Sequence, residues 1–441
     1  MNKSINRSII ADELGRRIKS STSPFHTVAY SSEELKENGF EEIILSEKWS
    51  LRRGGKYFVK IYDSTLMAFT IGGRWNGGRF KITAAHTDFP CLKIKPDSLI
   101  SESGCLKCNV EVYGGPILNT WLDRPLSAAG RIVIKSDNVM EPEIKLVDFE
   151  RPMFITPNLA IHMNRDVNKG VELNRQKDML PLMYAGEDIE STKQSEVFVK
   201  ELAKAAGVNE KDIIDYELYI YPYEGQTLVG IDESLFTAGR LDNITSVQAC
   251  IKGIIASGEK VSAGNSFNFM VLYDSEEVGS TTKQGAGSVI TRLIIERIYK
   301  NLGLEKEAMD CDLASGMGLS VDVAHAVHPN VPEKSDLTNK LYMNKGFAIK
   351  TSAGERYASD IKVIGVIKQL CEKYGILNQR YVNRSDIPGG STLGAILVSQ
   401  LPVRMLDIGV PVLAMHSARE TMGIDDQYWL ERVIESFYTE D

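Results

Sequence analysis

Five short stretches of the chain carry acids and histidines at the ends of apolar runs. They are TAAHTDFP (83–90), GRLDN (239–243), YDSEEVGS (273–280), SVDVAHAV (320–327) and VLAMHSARE (412–420). The third poses the sharpest question, because Glu276 and Glu277 are adjacent where FNFMVLY ends. Like charges in a partly desolvated place push one another toward the neutral form. A nearby dication turns that repulsion into attraction. Histidine, aspartate and glutamate are what zinc or a similar divalent ion takes when cysteine is not used. Two ions about 3.5–4 Å apart need a bridging carboxylate between them. Each then takes an imidazole and a carboxylate and keeps room for water, and two histidines, His86 and His416, with several acids meet that need. Asp88, two residues past His86, is placed to hold the imidazole by its second nitrogen.

Each stretch also has a plain structural reading. His86 and His416 suit buried histidines, and Asp88 suits the start of a turn before Phe89-Pro90. Asp242 or Asn243 suits a helix N-cap, and Asp322 suits a cap or an arginine partner. Five such residues at five strand mouths, drawn only from His, Asp and Glu, point instead to a metal centre. The parts for other chemistries are missing: there is no HExxH, GxSxG, GxxxxGK[ST] or strand-following GxGxxG. His325 and His328 fall in an expected loop, and Cys105-x-x-Cys108 has no second pair to complete a zinc ribbon.

The elements that must position these residues follow from periodicity. A polar helix is expected over 7–20, strands within YFVKIYDSTLMAFTIG (57–72), and a core strand in RFKITAAHTDFP (79–90). From about 93 to 232, short strand-like pieces broken by Gly, Pro and Asp read as a mostly β insertion, with a charged segment over 170–200. Beyond it, apolar residues at 244, 247, 251, 254 and 255 have helical spacing, and SFNFMVLYD follows as a strand. A helix in GAGSVITRLIIERIYKNLG, a strand in LSVDVAHAV, a helix near 358–375 and a strand in VPVLAMHS (410–417) complete the pattern. Alternating strands and helices predict an α/β fold with a largely parallel sheet covered on both faces. In such sheets ligands gather at the carboxyl ends of strands. The five stretches fall there.

The totals exclude some classes. With 51 basic against 59 acidic residues the chain carries −8, and no basic run stands out, which argues against a nucleic-acid partner. No apolar stretch approaches the length of a membrane span, and the first residues lack the apolar core of a secretory signal. Six scattered cysteines fit a reducing, cytoplasmic setting.

The order His, Asp, Glu-Glu, Asp, His resembles the co-catalytic two-metal exopeptidases, and the aspartyl aminopeptidase family in particular. AAHTDFPCLKIKP, TWLDRPLSAAGRI, NLAIHMNRDVN, GRLDN, YDSEEVGS, SVDVAHAVHPN, RYASD, GGSTLG and AMHSARE carry the likeness along nearly the whole chain. The resemblance implies a zinc-exopeptidase-like catalytic domain formed by residues 1–92 and 233–441, with a β-rich dimerisation domain inserted at 93–232. It implies one metal on His86, Asp242 and Asp322, and a second on Asp242, Glu277 and His416, with Asp242 bridging. Zinc is the expected ion, with cobalt or manganese as alternatives. Glu276 is then the general base that takes a proton from metal-bound water, and the hydroxide attacks the scissile carbonyl. Substrates implied are peptides with N-terminal Asp or Glu; a neutral aliphatic preference, or a related di-metal deacylase, are the alternatives. A catalytically silent scaffold is disfavoured by the complete set of metal and base positions.

The same likeness implies that His162 enters a neighbouring subunit's active site, and that dimers build a tetrahedral dodecamer. Lys350 and Tyr357, in AIKTSAGERYASD, match positions lining the substrate pocket. A lysine there pairs with an acidic side chain, and a tyrosine hydroxyl steadies the tetrahedral oxyanion. In GGSTLGAIL, Ala395 stands where the family pattern has proline, in a loop near that pocket.

Overall fold

The computed structural model describes residues 5–186, 191–387 and 389–440. The chain forms two compact units. One comprises residues 1–88, 226–415 and 420–441; the other comprises 89–225 and 416–419.

The first unit is built on a nine-stranded sheet. Its strands run in the order Glu41–Glu42, Lys56–Ile61, Thr65–Ile71, Phe267–Tyr273, Phe80–His86, Met317–Val321, Arg404–Gly409, Phe347–Lys350 and Asn378–Tyr381. Five of the eight neighbouring pairs are parallel, including the central run from Phe267–Tyr273 to Arg404–Gly409. The sheet is therefore mixed and mostly parallel, as the alternation of strands and helices predicts.

Strand periodicity divides its side chains between two cores. Phe267, Phe269 and Val271 face one core, together with Ile82, Ala84, Met67 and Phe69. Met270 and Leu272 face the other, with Ala85, Leu319, Val321 and Ile408. The helices Arg7–Ser20, Pro24–Glu37, Leu241–Glu259, Ile361–Tyr374 and Ile424–Thr439 cover the second of these faces. Ile290–Asn301, Lys306–Ser315 and Leu393–Gln400 cover the first. The expected helical stripe after GRLDN is real: Ile244, Val247, Ile251 and Ile254 are all buried in the core. Burying both faces of a parallel sheet is what turns its strands into near-continuous apolar runs, and all seven residues of Phe267–Tyr273 are buried.

One expectation fails in an instructive way. VPVLAMHS does not form a single strand over 410–417. The main-sheet strand is Arg404–Gly409, and only Pro411–Leu413 continues as a short strand of a different sheet. Ala414 and His416 hold φ of 55° and 67°, left-handed values that end an extended run. Asp407 had masked the true strand from a hydropathy reading, yet it is fully buried there.

A smaller five-stranded sheet in the first unit runs Thr227–Val229, Leu235–Ala238, Glu420–Gly423, Pro411–Leu413 and Ala324–His325. It fixes the segment that leads into the GRLDN turn.

The second unit is an antiparallel sheet of six strands: Glu143–Asp148, Leu126–Ile134, Ile213–Pro222, Cys91–Glu102, Cys105–Tyr113 and Leu182–Ala185. The helix Ser191–Ala206 packs on it, with Phe198 against Phe149 and Tyr216. Antiparallel strands are what its Gly- and Pro-punctuated sequence predicts.

Candidate metal centre and the residues around it

His86 is the last residue of its strand, and Asp322 follows the end of the adjacent parallel strand Met317–Val321. Tyr273, opposite His86, ends the strand on the other side, three residues before Glu276. Three neighbouring parallel strands thus deliver their next residues to one place. Asp242 arrives from a helix start. Residues 241–259 are helical, but Asp242 and Asn243 depart from helical φ and ψ, and the peptide bond between them is cis. The helix is capped by the left-handed Arg240 with no side-chain cap bond. Asn243 spends its side-chain amide on the Val321 carbonyl, 2.9 Å away. The N-cap reading of this pair is therefore set aside.

The imidazole of His86 is buried, and its Nε2 lies 3.4 Å from Asp242 Oδ1 and 3.7 Å from Asp322 Oδ1. Ligands in a tetrahedral zinc site with bonds of about 2.0–2.1 Å stand about 3.3 Å apart. His86, Asp242 and Asp322 therefore fit an ion with only small adjustment, and each offers one ligand atom within 4.8 Å of the others. The opposite ring nitrogen, Nδ1, donates to the backbone carbonyl of Asp88 at 3.0 Å, which leaves Nε2 as the ligand atom. Burial alone would lower the His86 pKa, but bonds to Asp242, Asp322 and Asp88 lift it well above its ordinary value.

Asp88 does more than attend the imidazole. Its carboxylate oxygen is 3.5 Å from His86 Nδ1, whereas Oδ1 and Oδ2 accept the backbone N–H groups of Glu276 and Glu277, both at 3.1 Å. The carboxylate thereby clasps the short helical turn Glu276–Val278 that presents the two glutamates. Ser275 and Gly279 flank that turn with φ of 67° and 95°. Glu276 Oε2 comes within 4.0 Å of His86 Nε2, and His86, Glu276 and Glu277 form a second group with metal-ligand spacing. Burial, with Asp322, Asp88 and Asp242 nearby, pushes the Glu276 carboxyl up to about 8, against the pull of His86. Such a group can hold a proton near neutrality.

Lys350 ends its strand buried, 1% exposed, with Nζ 3.8 Å from Asp322 Oδ2 and 5.2 Å from the centre of the Tyr357 ring. Burial lowers its pKa, but Asp322 and Asp407 outweigh that and the net shift is upward. The hydroxyl of Tyr357 receives a hydrogen bond from Asn383 Nδ2 at 3.0 Å, while Tyr381 donates to Asn383 Oδ1 at 2.7 Å.

His416 and His162 belong to the second unit. His416 Nδ1 donates to the Gly115 carbonyl at 3.0 Å, and Ile117 N–H donates to the His416 carbonyl at 2.9 Å. His162 is exposed on a turn, not in a strand, between Ile161 and Met163, themselves 48% and 73% exposed. Among the described residues, the groups with metal-ligand spacing include neither His325 and His328 nor the cysteines.

Sequence reasoning missed Glu420. It is 1% exposed, and its Oε2 accepts the backbone N–H of Asp242 at 3.1 Å. Its signal was an acid flanking a short apolar strand, which is unreadable without the strand register.

The chain as a whole is similar to known proteins. The sequence pattern of the family described as Aminopeptidase I zinc metalloprotease (M18) matches residues 17–438. A protein of Clostridium novyi (strain NT), named probable M18 family aminopeptidase 2, is 44% identical over 98% of this chain and 99% of its own length. Aspartyl aminopeptidase 4 of Saccharomyces cerevisiae is 36% identical over 96% and 92%. Among solved structures, one chain of the cryo-EM structure of the Ape4 and Nbr1 complex superposes with a TM-score of 0.94 at 31% identity, covering 98% of this chain and 86% of that one. The chain belongs to the M18 family of zinc metallo-aminopeptidases, hydrolases that remove residues from the amino terminus of peptides.

Proposed function

We propose that this aminopeptidase works with two divalent ions, zinc foremost, and prefers peptides with N-terminal Asp or Glu. In this reading His86, Asp242 and Asp322 hold one ion, and Asp242, Glu277 and His416 the other. When bound, the ions make a water easier to deprotonate and polarise the scissile carbonyl. Glu276 takes the proton from the attacking water and hands it to the leaving amine. Asp88 keeps Glu276 in place through the backbone of its turn, and the Tyr357 hydroxyl donates to the oxyanion. The observation that carries the reading is the buried Glu276 carboxyl, 4.0 Å from the His86 nitrogen that faces Asp242 and Asp322.

The acidic preference rests on Lys350 and on the relative named aspartyl aminopeptidase 4. A second reading, neutral aliphatic preference, is favoured by one observation: the Lys350 charge is buried beside Asp322. The exposed Leu159, Ile161 and Met163 around His162 support a self-association surface on the second unit, through which His162 reaches a neighbour's site. A tetrahedral dodecamer of such dimers follows from the family resemblance. The six scattered cysteines, all free thiols, support a reducing, cytoplasmic setting. No helix among the described residues is long and apolar enough to cross a membrane.

The test compares hydrolysis of Asp-, Glu- and Leu-initiated dipeptides as isolated, after chelation, and after return of zinc, cobalt or manganese. Chelator-sensitive cleavage of Asp or Glu with Leu poor is expected, and Glu276→Gln should keep its metal while losing about 10²–10⁴-fold in turnover. Undiminished turnover in Glu276→Gln removes it as the base. Faster Leu release keeps the mechanism and sinks the acidic preference.

A further inference from the structure

We infer that Glu420 is the positioning residue for Asp242, fixing through a hydrogen bond to its backbone N–H the carboxylate that the proposed metal site places at its centre.

The argument starts from the sheet register. Glu420 opens the strand Glu420–Gly423 and pairs with Ala238, the last residue of the strand that leads into the GRLDN turn. The hydroxyl of Thr237 donates to the Glu420 carbonyl at 2.8 Å, so the backbone of Glu420 is held by two successive residues of that strand. From this anchored start its side chain reaches to the amide N–H of Asp242. Both residues are buried, and a side-chain oxygen that accepts a backbone N–H there makes a directional bond.

The direction matters because the chain departs from regular structure at that point. Asp242 is neither in the strand nor in regular helix, with φ −78° and ψ 105°. The next residue, Asn243, is tied to the Val321 carbonyl, one position before Asp322. Asp242 thus hangs between two clasps, one to Glu420 and one to the strand end that carries Asp322. An N–H held in place fixes the plane of the preceding peptide and with it the direction in which the Asp242 side chain leaves the backbone. Groups of this kind, one step removed from the ion, tune its binding strongly.

Glu420 contributes by accepting a bond at a set distance, more than by its charge. Glutamine keeps the length and the acceptor oxygen but removes the charge. Aspartate keeps the charge but is shorter by one carbon–carbon bond, about 1.5 Å. The two substitutions therefore separate position from charge.

The inference rests on the metal site proposed above, and wild-type protein serves as the control for that reading. If the wild type binds no zinc in a competition titration against a chromophoric chelator, the metal-site reading fails first. Given a zinc-binding wild type, Glu420→Asp should lose about 10–100-fold in zinc affinity, while Glu420→Gln stays within about threefold. Apoprotein melting and circular dichroism establish that each variant is folded. Should Glu420→Asp not fold, Glu420→Met, of similar length and without an acceptor, takes its place with the same expected loss. Loss in the Gln variant alone, equal loss in both, or no loss in either overturns the inference.

Discussion

Replacing Asp88 with asparagine isolates the clasp on the Glu276–Glu277 turn. The side chains have the same shape, but asparagine has one oxygen where aspartate has two. One of the two backbone N–H groups, each now 3.1 Å from a carboxylate oxygen, would then face an NH2 group. A hydrogen bond to a charged acceptor contributes about 1.5–3 kcal/mol, and a buried donor left unmet costs about 1–3 kcal/mol more. The perturbation is therefore about 2.5–6 kcal/mol, shared between global stability and the placement of Glu276. If about 1.4–2.8 kcal/mol reaches the reaction barrier, turnover falls about 10–100-fold. The backbone carbonyl that receives His86 Nδ1 is untouched by the substitution. Zinc affinity should accordingly hold within about threefold, well short of the loss that follows removal of a partner from a ligating histidine. The assay pairs kcat and KM on an acidic dipeptide with a zinc titration and a thermal melt. Wild-type kcat in folded, zinc-loaded Asp88→Asn would refute the reasoning. So would the converse pattern, zinc affinity lost and kcat of the loaded enzyme kept, since that would make the imidazole, not the turn, the chief business of the carboxylate.

Three further outcomes can be measured. Lys350→Met leaves Asp322 and Asp407 without their buried cation, and breaking such a pair costs about 3–5 kcal/mol, so urea unfolding of the metal-free variant should show a loss of that size; unchanged stability would mean that the pair is not what the 3.8 Å separation suggests. The Asp-to-Leu selectivity of the same variant should fall if Lys350 also meets the substrate's acid. Mixing inactive His162→Ala subunits with inactive Glu276→Gln subunits should restore activity if His162 serves a neighbour's site, and no recovery in verified mixed dimers would count against that role.

The strand ends are legible in the sequence because burial on both faces leaves parallel strands nearly all apolar, so His86, Glu276 and Asp322 stand out where those runs stop. The helix after Asp242 was readable by its 3.6-residue stripe. What resisted reading were facts of register and of atoms. Glu420 acquires meaning only through its pairing with Ala238. Asp88 was expected at the imidazole, and its backbone oxygen and carboxylate lie 3.0 and 3.5 Å from Nδ1, but the hold of that carboxylate on the neighbouring turn was not foreseen. Composition cannot tell one oxygen of a residue from another. The strand Arg404–Gly409 escaped because a buried acid, Asp407, interrupts its apolar pattern; burial pushes that carboxyl up to about 6, and Lys350 offsets part of the cost.

The order of strands in the main sheet has a consequence for the newly made chain. Phe80–His86 is flanked by Phe267–Tyr273 and Met317–Val321, both encoded far downstream, while the strands of the second unit emerge between them. A ribosome that has delivered His86 and the whole insertion has produced no pair of neighbours for that strand, and no partner acids for the imidazole. The cluster of His86, Asp242 and Asp322 is thus absent by topology until most of the polypeptide exists.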